Sequence, residues 1–420
     1  MNKYFILVCM LLLTVSCAKR NVKPVATSCD CNQVTSSPEP KPTTEPKIIS
    51  SSITPDYALL KSASWQDIDG FTTDDLSAAW PAWLQSCAGL KNKLQNNQPI
   101  WQTVCTAAQD LNKKNQNKPG NRPSSAEIVD YYTSYFDVYS TNNNEGSNTG
   151  LVTGYYEPVL KGSRTKSAQF AYPLYRQPSD LITVDLAELY PELKYKRIRG
   201  KLVGNKLVPY ATRAQIEVAP SPLAGNELVW IDDIVDVFFL QVQGSGLVKF
   251  ENGEQMHVGY ADQNGQAYNS IGRILIERGE LNKDQAGMQG IKNWARNNPA
   301  KLRELLNANP SYVFFTELPA GLTGPLGALG VPLTSERSVA IDPKYIPLGA
   351  PVFLSTTQPN SSKPLRRLML AQDTGGAIKG GVRADFFWGA GDEAGKQAGS
   401  MKQQGKIWVL LPKGFDLPNK

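Results

Sequence analysis

The sequence predicts a mainly β protein with peripheral helices, and three observations carry that reading. From Phe170 to about Gly259, short apolar runs alternate with Pro and Gly breaks, the pattern of strands separated by turns. A second such section, Val331–Leu411, lies near the C-terminus. Outside them, helical spacing appears near Asp74–Cys87, Trp101–Leu111 and Ser125–Tyr135, and again near Ser270–Arg278, Gly287–Ala295 and Pro299–Asn307. With 420 residues, 41% of them apolar and eight tryptophans, the chain can build two or three domains or one core with a large insertion.

The N-terminus comes first. Met1–Lys3 is a short charged start, and Tyr4–Leu13 is an apolar run too short to span a bilayer comfortably. It ends at T-V-S-C-A, with Cys17 after a small residue. This resembles a bacterial lipoprotein signal, which implies removal of residues 1–16 and lipidation of Cys17. Ala18 in the next position favours the outer membrane, on its periplasmic face. Residues 17–52, rich in Pro, Thr, Ser and Lys, cannot bury enough apolar surface to fold and read as a tether. Cys29 and Cys31 inside it receive no role.

Composition limits the partners. The net charge of +6 is mild and its basic residues are scattered, so no nucleic acid is expected. The single histidine, His257, leaves neither a zinc cluster nor a choice of catalytic triads, and it reads as structural. No metal, phosphate loop or dinucleotide fingerprint is found, so no cofactor is expected. Cys87 and Cys105 flank an amphipathic stretch and are either a disulfide or two buried thiols.

Acidic residues at Asp74 and Asp75 open the first helix, and the tryptophans and tyrosines of this region read as core. G-L-V-T-G-Y-Y-E-P at Gly150–Pro158 is a strand closing on a proline. Tyr155 or Tyr156 can stack on a sugar, but neighbours on a strand point to opposite faces, so only one can line a cleft. Further on, F-F-L-Q-V-Q-G-S-G at Phe238–Gly246 reads as a strand whose Gln241 and Gln243 share one face, with Ser245 beside them. Amides there can bind sugar hydroxyls or remain as an internally satisfied pair.

The chemistry concentrates at Gln372–Gly391, Q-D-T-G-G-A-I-K-G-G-V-R-A-D-F-F-W-G-A-G. Asp373 and Asp385 flank a glycine-rich loop framed by the apolar runs Leu368–Ala371 and Phe386–Trp388. Such a loop lets a ligand lie close to the backbone and can aim both carboxylates into one cleft. Thr374 and Lys379 lie within it; both can bind a glycan, and Lys379 can equally be a solvated charge. Asp342, followed by Pro343, is a turn aspartate or a third member of the set.

Taken together, D-T-G-G-A-I-K-G, the later aspartate, G-A-G-D-E-A-G, G-Y-Y-E-P and F-F-L-Q-V-Q-G-S-G resemble the membrane-bound lytic murein transglycosylase A family, from roughly Leu151 to Leu411. The resemblance implies a double-psi β-barrel from residues 53–158 and 316–415, with a smaller β-barrel inserted at 159–315 and a glycan groove between them. It implies cleavage between N-acetylmuramic acid and N-acetylglucosamine in peptidoglycan, closing a 1,6-anhydro ring. Asp385 matches the catalytic acid and Asp373 a supporting aspartate, with Asp342 in a more structural role. Peptidoglycan strands are the implied partner, together with the outer membrane and complexes with other cell-wall enzymes. Two other readings stay open: a hydrolase using Asp373 and Asp385 as a pair, or a non-catalytic peptidoglycan-binding lipoprotein.

Overall fold

Each of the six segments with helical spacing is a helix in the computed structural model, which describes residues 57–92, 99–118, 120–193, 196 and 198–417. The apolar N-terminal run, Cys17, Cys29 and Cys31 lie outside the described residues. After β1 (Leu60–Ala63) come α1 (Leu76–Asn92), α2 (Pro99–Asn115) and α3 (Ser125–Tyr135), then β2 (Phe136–Thr141) and β3 (Gly150–Glu157). Ser124 starts α3 with a capping box, its hydroxyl accepting from Glu127 N–H while the Glu127 carboxylate accepts from Ser124 N–H.

The helices form a buried aromatic layer on the sheet that follows. Trp83 Nε1 donates to the Tyr131 hydroxyl at 3.1 Å, which donates on to Val104 O at 2.7 Å. A Cys87–Cys105 disulfide ties α1 to α2, which decides between the two states open on sequence alone. Asp74 pairs with buried Arg337 at 2.6 Å and also accepts Leu368 N–H, fastening this layer to the barrel.

The middle of the chain contains β4 (Val159–Ser163), β5 (Tyr172–Tyr175), β6 (Ile182–Thr183), β7 (Arg199–Val203), β8 (Lys206–Pro209), α4 (Arg213–Ile216) and β9 (Glu227–Ile231). It continues through α5 (Ile234–Gln243), β10 (Ser245–Phe250), β11 (Gln255–Gln263), α6 (Ile271–Glu277), α7 (Met288–Asn297), α8 (Pro299–Asn307) and β12 (Val313–Glu317). Six of these strands form one sheet, ordered β12-β11-β10-β4-β9-β5, whose outermost strands touch. β6, β7 and β8 make a separate small sheet.

One expected strand is a helix. The run before Gly244 is α5, begun by Asp233, whose carboxylate accepts Val235 N–H at 2.7 Å, and ended by Gly244 at φ 85°. Its apolar residues face two clusters: Val237 and Leu240 pack on the six-stranded sheet, while Val235, Phe238 and Phe239 pack against α6–α8. A helix buried on opposite sides is apolar nearly all round, which removes the periodicity that distinguishes it from a strand.

The last section holds β13 (Ser338–Ile341), β14 (Pro351–Thr357), β15 (Pro364–Thr374), β16 (Ala384–Ala390), α9 (Gly391–Ser400) and β17 (Lys402–Pro412). G-A-G-D-E-A-G thus leads into a helix rather than further strand. The strands run β17-β14-β15-β13-β16-β3, and β3 pairs back onto β17, closing a six-stranded barrel with β2 and β1 as an extension. Two pairs, β13–β15 and β16–β3, are parallel. The result is the double-psi β-barrel. Its interior is filled by Val152, Val339, Val352, Met369, Phe386 and Val409 among others.

Candidate active site

The aspartates sit on the barrel, and strand register brings them together. Ala340 of β13 lies opposite Asp373 of β15 on one side and opposite Asp385 of β16 on the other. Asp385 in turn lies opposite Thr153 of β3. Residues that are cross-strand partners share a face, so Asp373, Ala340, Asp385 and Thr153 form a row across four strands.

A β-bulge makes that row possible. Ser338 pairs with Leu370, but Ala340 pairs with Asp373, so β15 holds one residue more than β13 over the same span. Without the extra residue Gln372 would face Ala340, and Asp373 would point with Met369 and Ala371 into the barrel. Gln372 is instead buried against the helices, its amide donating to Ala82 O and Ser86 Oγ. Bulges commonly re-aim a side chain beside an active site.

The two carboxylates have different surroundings. Asp373 Oδ1 accepts the N–H groups of Ala328 and Thr374, both at 2.9 Å, and Oδ2 accepts the Tyr155 hydroxyl at 2.9 Å. Asp385 Oδ1 accepts the Thr153 hydroxyl at 2.6 Å. Burial pushes the Asp385 carboxyl up to about 6; the Thr153 hydrogen bond and the Arg383 guanidinium oppose that rise, and the Asp373 charge adds to it. Burial likewise lifts the Tyr155 phenol far above its usual range, with both aspartates adding to the effect. Tyr155 therefore stays a proton donor to Asp373. An acid whose pKa is pushed up to about 6, beside a carboxylate that accepts three hydrogen bonds, keeps a protonated fraction near neutral pH that can deliver a proton to a leaving oxygen.

The glycine loop between them is held from below. Buried Asp342 accepts Gly380 N–H at 3.0 Å through Oδ2 and Lys344 N–H at 3.2 Å through Oδ1. The first of these bonds ties it to the loop. Lys379 is exposed, its ammonium 3.8 Å from Asp342, and Thr374 is half-buried beside Asp373. Close approach of backbones needs glycine at 381, where a Cβ would meet Asn142 O at 2.1 Å.

The expected sugar contacts fare differently. Both tyrosines are buried, Tyr155 against Phe387 beneath the aspartate row and Tyr156 between Met288, Ala394 and Ala398. Neither presents an open ring face for stacking, which corrects the sequence reading of one as a platform. Tyr155 keeps a place in the site through its hydroxyl. Gln241 and Gln243 do not share a strand face, because they belong to α5. Gln241 is buried and accepts from Arg213, a guanidinium enclosed by Phe238 and Tyr312. Gln243 accepts Tyr156 N–H at 3.1 Å, so it joins α5 to β3. Ser245 opens β10 and is half-buried. His257 is structural as expected, its Nδ1 3.0 Å from the buried Glu157 carboxylate.

Thr153 and Arg383 are the site residues that the sequence reading missed. Thr153 lies two residues before Tyr155, on the same strand face. Nothing in the sequence says that β3 pairs with β16. Among the described residues no group of three or more His, Cys, Asp or Glu is arranged to hold a metal.

Comparison with known proteins points to one family. Residues 151–316 match the MltA specific insert domain and residues 337–411 the 3D domain. The membrane-bound lytic murein transglycosylase A of Escherichia coli K12 is 36% identical over 267 residues, 61% of this chain and 64% of the relative's length. The crystal structure of MltA from Neisseria gonorrhoeae superposes with a TM-score of 0.70 at 38% identity, covering 85% of this chain and 93% of that one. E. coli MltA with bound chitohexaose superposes with a TM-score of 0.59 at 28% identity, covering 80% and 89%. The chain belongs to the membrane-bound lytic murein transglycosylase A family.

Proposed function

We propose that the protein is a peptidoglycan lytic transglycosylase in which Asp385 acts as the single general acid and base. The observation that carries this reading is the contrast between the two aspartates. Asp385 has a carboxyl pushed up to about 6 and one oxygen, Oδ1, fixed by Thr153. Both oxygens of Asp373 are engaged by groups of the protein itself. That disfavours Asp373 as a nucleophile and with it the hydrolase reading, which needs a second working carboxylate.

In the first step the Asp385 proton passes to the glycosidic oxygen between N-acetylmuramic acid and N-acetylglucosamine, and the C1–O bond breaks. Asp385, now a carboxylate, takes the proton of the muramoyl 6-hydroxyl. That oxygen bonds to C1, closing a 1,6-anhydro ring and restoring the acid. Because the nucleophile belongs to the substrate, the step gains from proximity and consumes no water. Asp373 keeps its neighbour protonated by like charge and holds the loop end in place. Thr374 and Lys379, beside the row, are the side chains we assign to glycan contact.

The relative that binds chitohexaose supports a glycan strand as partner; our reading puts that strand between the barrel (53–158 and 316–415) and the insertion (159–315). The relatives named membrane-bound support a membrane location, and the Cys17 motif supports a lipid anchor at the outer membrane. Mass spectrometry of muropeptides released from isolated sacculi tests the reaction: anhydro ends lack the water that hydrolysis adds. Hydrated ends alone would replace this reading with a hydrolase, and no release at all with a binding module.

A further inference from the structure

The small sheet β6–β7–β8 is a feature that catalysis does not explain. Its β7–β8 hairpin turns at Gly204 (φ 60°), with Leu202 opposite Leu207 and Lys201 opposite Val208. Alternation therefore puts Leu202 and Leu207 on one face and Lys201 on the other. Leu202 is 61% exposed, Val203 57% and Leu207 44%, and no residue of either strand joins a packed apolar cluster. The connection leading into the hairpin adds Leu189 at 71%. Exposed aliphatic side chains gathered on one protruding element mark a contact surface.

The hairpin segment itself carries charge of one sign. Residues 194–209, K-Y-K-R-I-R-G-K-L-V-G-N-K-L-V-P, contain six Lys and Arg and no Asp or Glu, an exception to the scatter elsewhere. Arg199 is paired with Asp262 at 2.8 Å, but Lys196, Lys201 and Lys206 pair with no carboxylate among the described residues. At the hairpin base a cavity of about 570 Å³, lined by Lys196, Arg199, Asn264 and Gln266 among others, shares no residue with the aspartate row.

We propose that the β7–β8 hairpin is a contact for an anionic lipid surface, entering the headgroup layer with Leu202 and Leu207 while Lys196, Lys201 and Lys206 meet lipid phosphates. Aliphatic tips flanked by cations suit acyl chains beneath anionic headgroups. Sugar recognition instead calls for ring faces, and the tip, Leu202–Leu207, has no aromatic residue. The inference depends neither on the catalytic reading nor on the anchor at Cys17, since it concerns a surface that binds lipid without either.

The test uses protein beginning at residue 53, without lipid, since Ser51–Lys420 is a compact unit of its own. It is sedimented with vesicles of equal parts phosphatidylglycerol and phosphatidylethanolamine, and with vesicles of phosphatidylcholine. Binding to the anionic vesicles, weakened by salt and absent from phosphatidylcholine, is expected. Lys201→Gln with Lys206→Gln should cut partitioning about 25-fold, at about fivefold per surface lysine. Leu202→Ser with Leu207→Ser should also lower it, with melting temperature and activity on sacculi unchanged. Absence of binding to anionic vesicles, or equal binding by both double variants, overturns the proposal. Loss of sacculus binding by the variants, with no vesicle binding by the parent, would assign the hairpin to the glycan polymer instead.

Discussion

Asp373 and Asp385 are the two cross-strand neighbours of one residue, Ala340, so a single short strand separates the two carboxylates. Two strand spacings put their Cα atoms about 10 Å apart. At that spacing the charge of Asp373 reaches Asp385 and helps to raise its pKa. The division of labour between the acid and its neighbour follows from this placement.

Thr153 should set the pH range of activity. Asp385 must be protonated to act as an acid, so the rate should fall as pH rises through about 6. The Thr153 hydroxyl favours the carboxylate, and Thr153→Val should therefore shift that limb upward. A hydrogen bond to a charged group contributes about 1.5–3 kcal/mol, equivalent to about 1–2 pH units. The pH profile of anhydro-product release checks this, and an unmoved limb would remove Thr153 from the account.

Asp385→Asn should stabilise the fold at neutral pH. The folded pKa of Asp385, about 6, lies above its ordinary 3.8, so ionisation costs stability. The stability associated with the protonated form is intact below about pH 4 and is lost as pH rises through about 6. The asparagine removes the penalty, a gain of about 1–3 kcal/mol at pH 7 after allowing for the partly exposed site. Urea titrations at pH 4 and pH 7 should show the gain at pH 7 only.

The two adjacent tyrosines should separate cleanly. Tyr155→Phe keeps the ring on Phe387, 5.2 Å away between centroids, but removes the donor to Asp373. It should lower kcat with little change in KM. Tyr156→Ala removes a buried ring from the contact with Met288, Ala394 and Ala398 and should cost about 3–5 kcal/mol of stability. Its folded fraction should bind glycan as the parent does; a specific binding defect there would return Tyr156 to the groove.

Much of this was legible in the chain. The acidic residues Asp74 and Asp75 before α1 mark a helix start correctly, because such signals act locally. The D-T-G-G stretch and the later aspartate point to the site because glycines and aromatics crowd two carboxylates. The bulge in β15 was not legible, since it depends on which strand β15 meets. Gln241 and Gln243 were misplaced for a related reason: tertiary burial on two sides gives α5 the composition of a strand. Thr153 became visible only with the β3–β16 pairing.

Membrane attachment should depend on one atom. The motif ending at Cys17 predicts incorporation of a palmitate analogue into the parent chain and none into Cys17→Ala. Fractionation should then move the protein away from the outer membrane. Equal labelling of both would exclude the anchor.

The most direct measurement is the rate at which Asp385→Asn releases anhydro-muropeptides from purified sacculi. The amide preserves size and can still accept from Thr153, so folding and glycan binding should persist. General acid–base assistance contributes about 10²–10⁴-fold, and here one residue performs both proton transfers. The account predicts a loss at or beyond that range, with Asp373→Asn less severe. Activity of folded Asp385→Asn within a few-fold of the parent would contradict it and move the acid to another carboxylate.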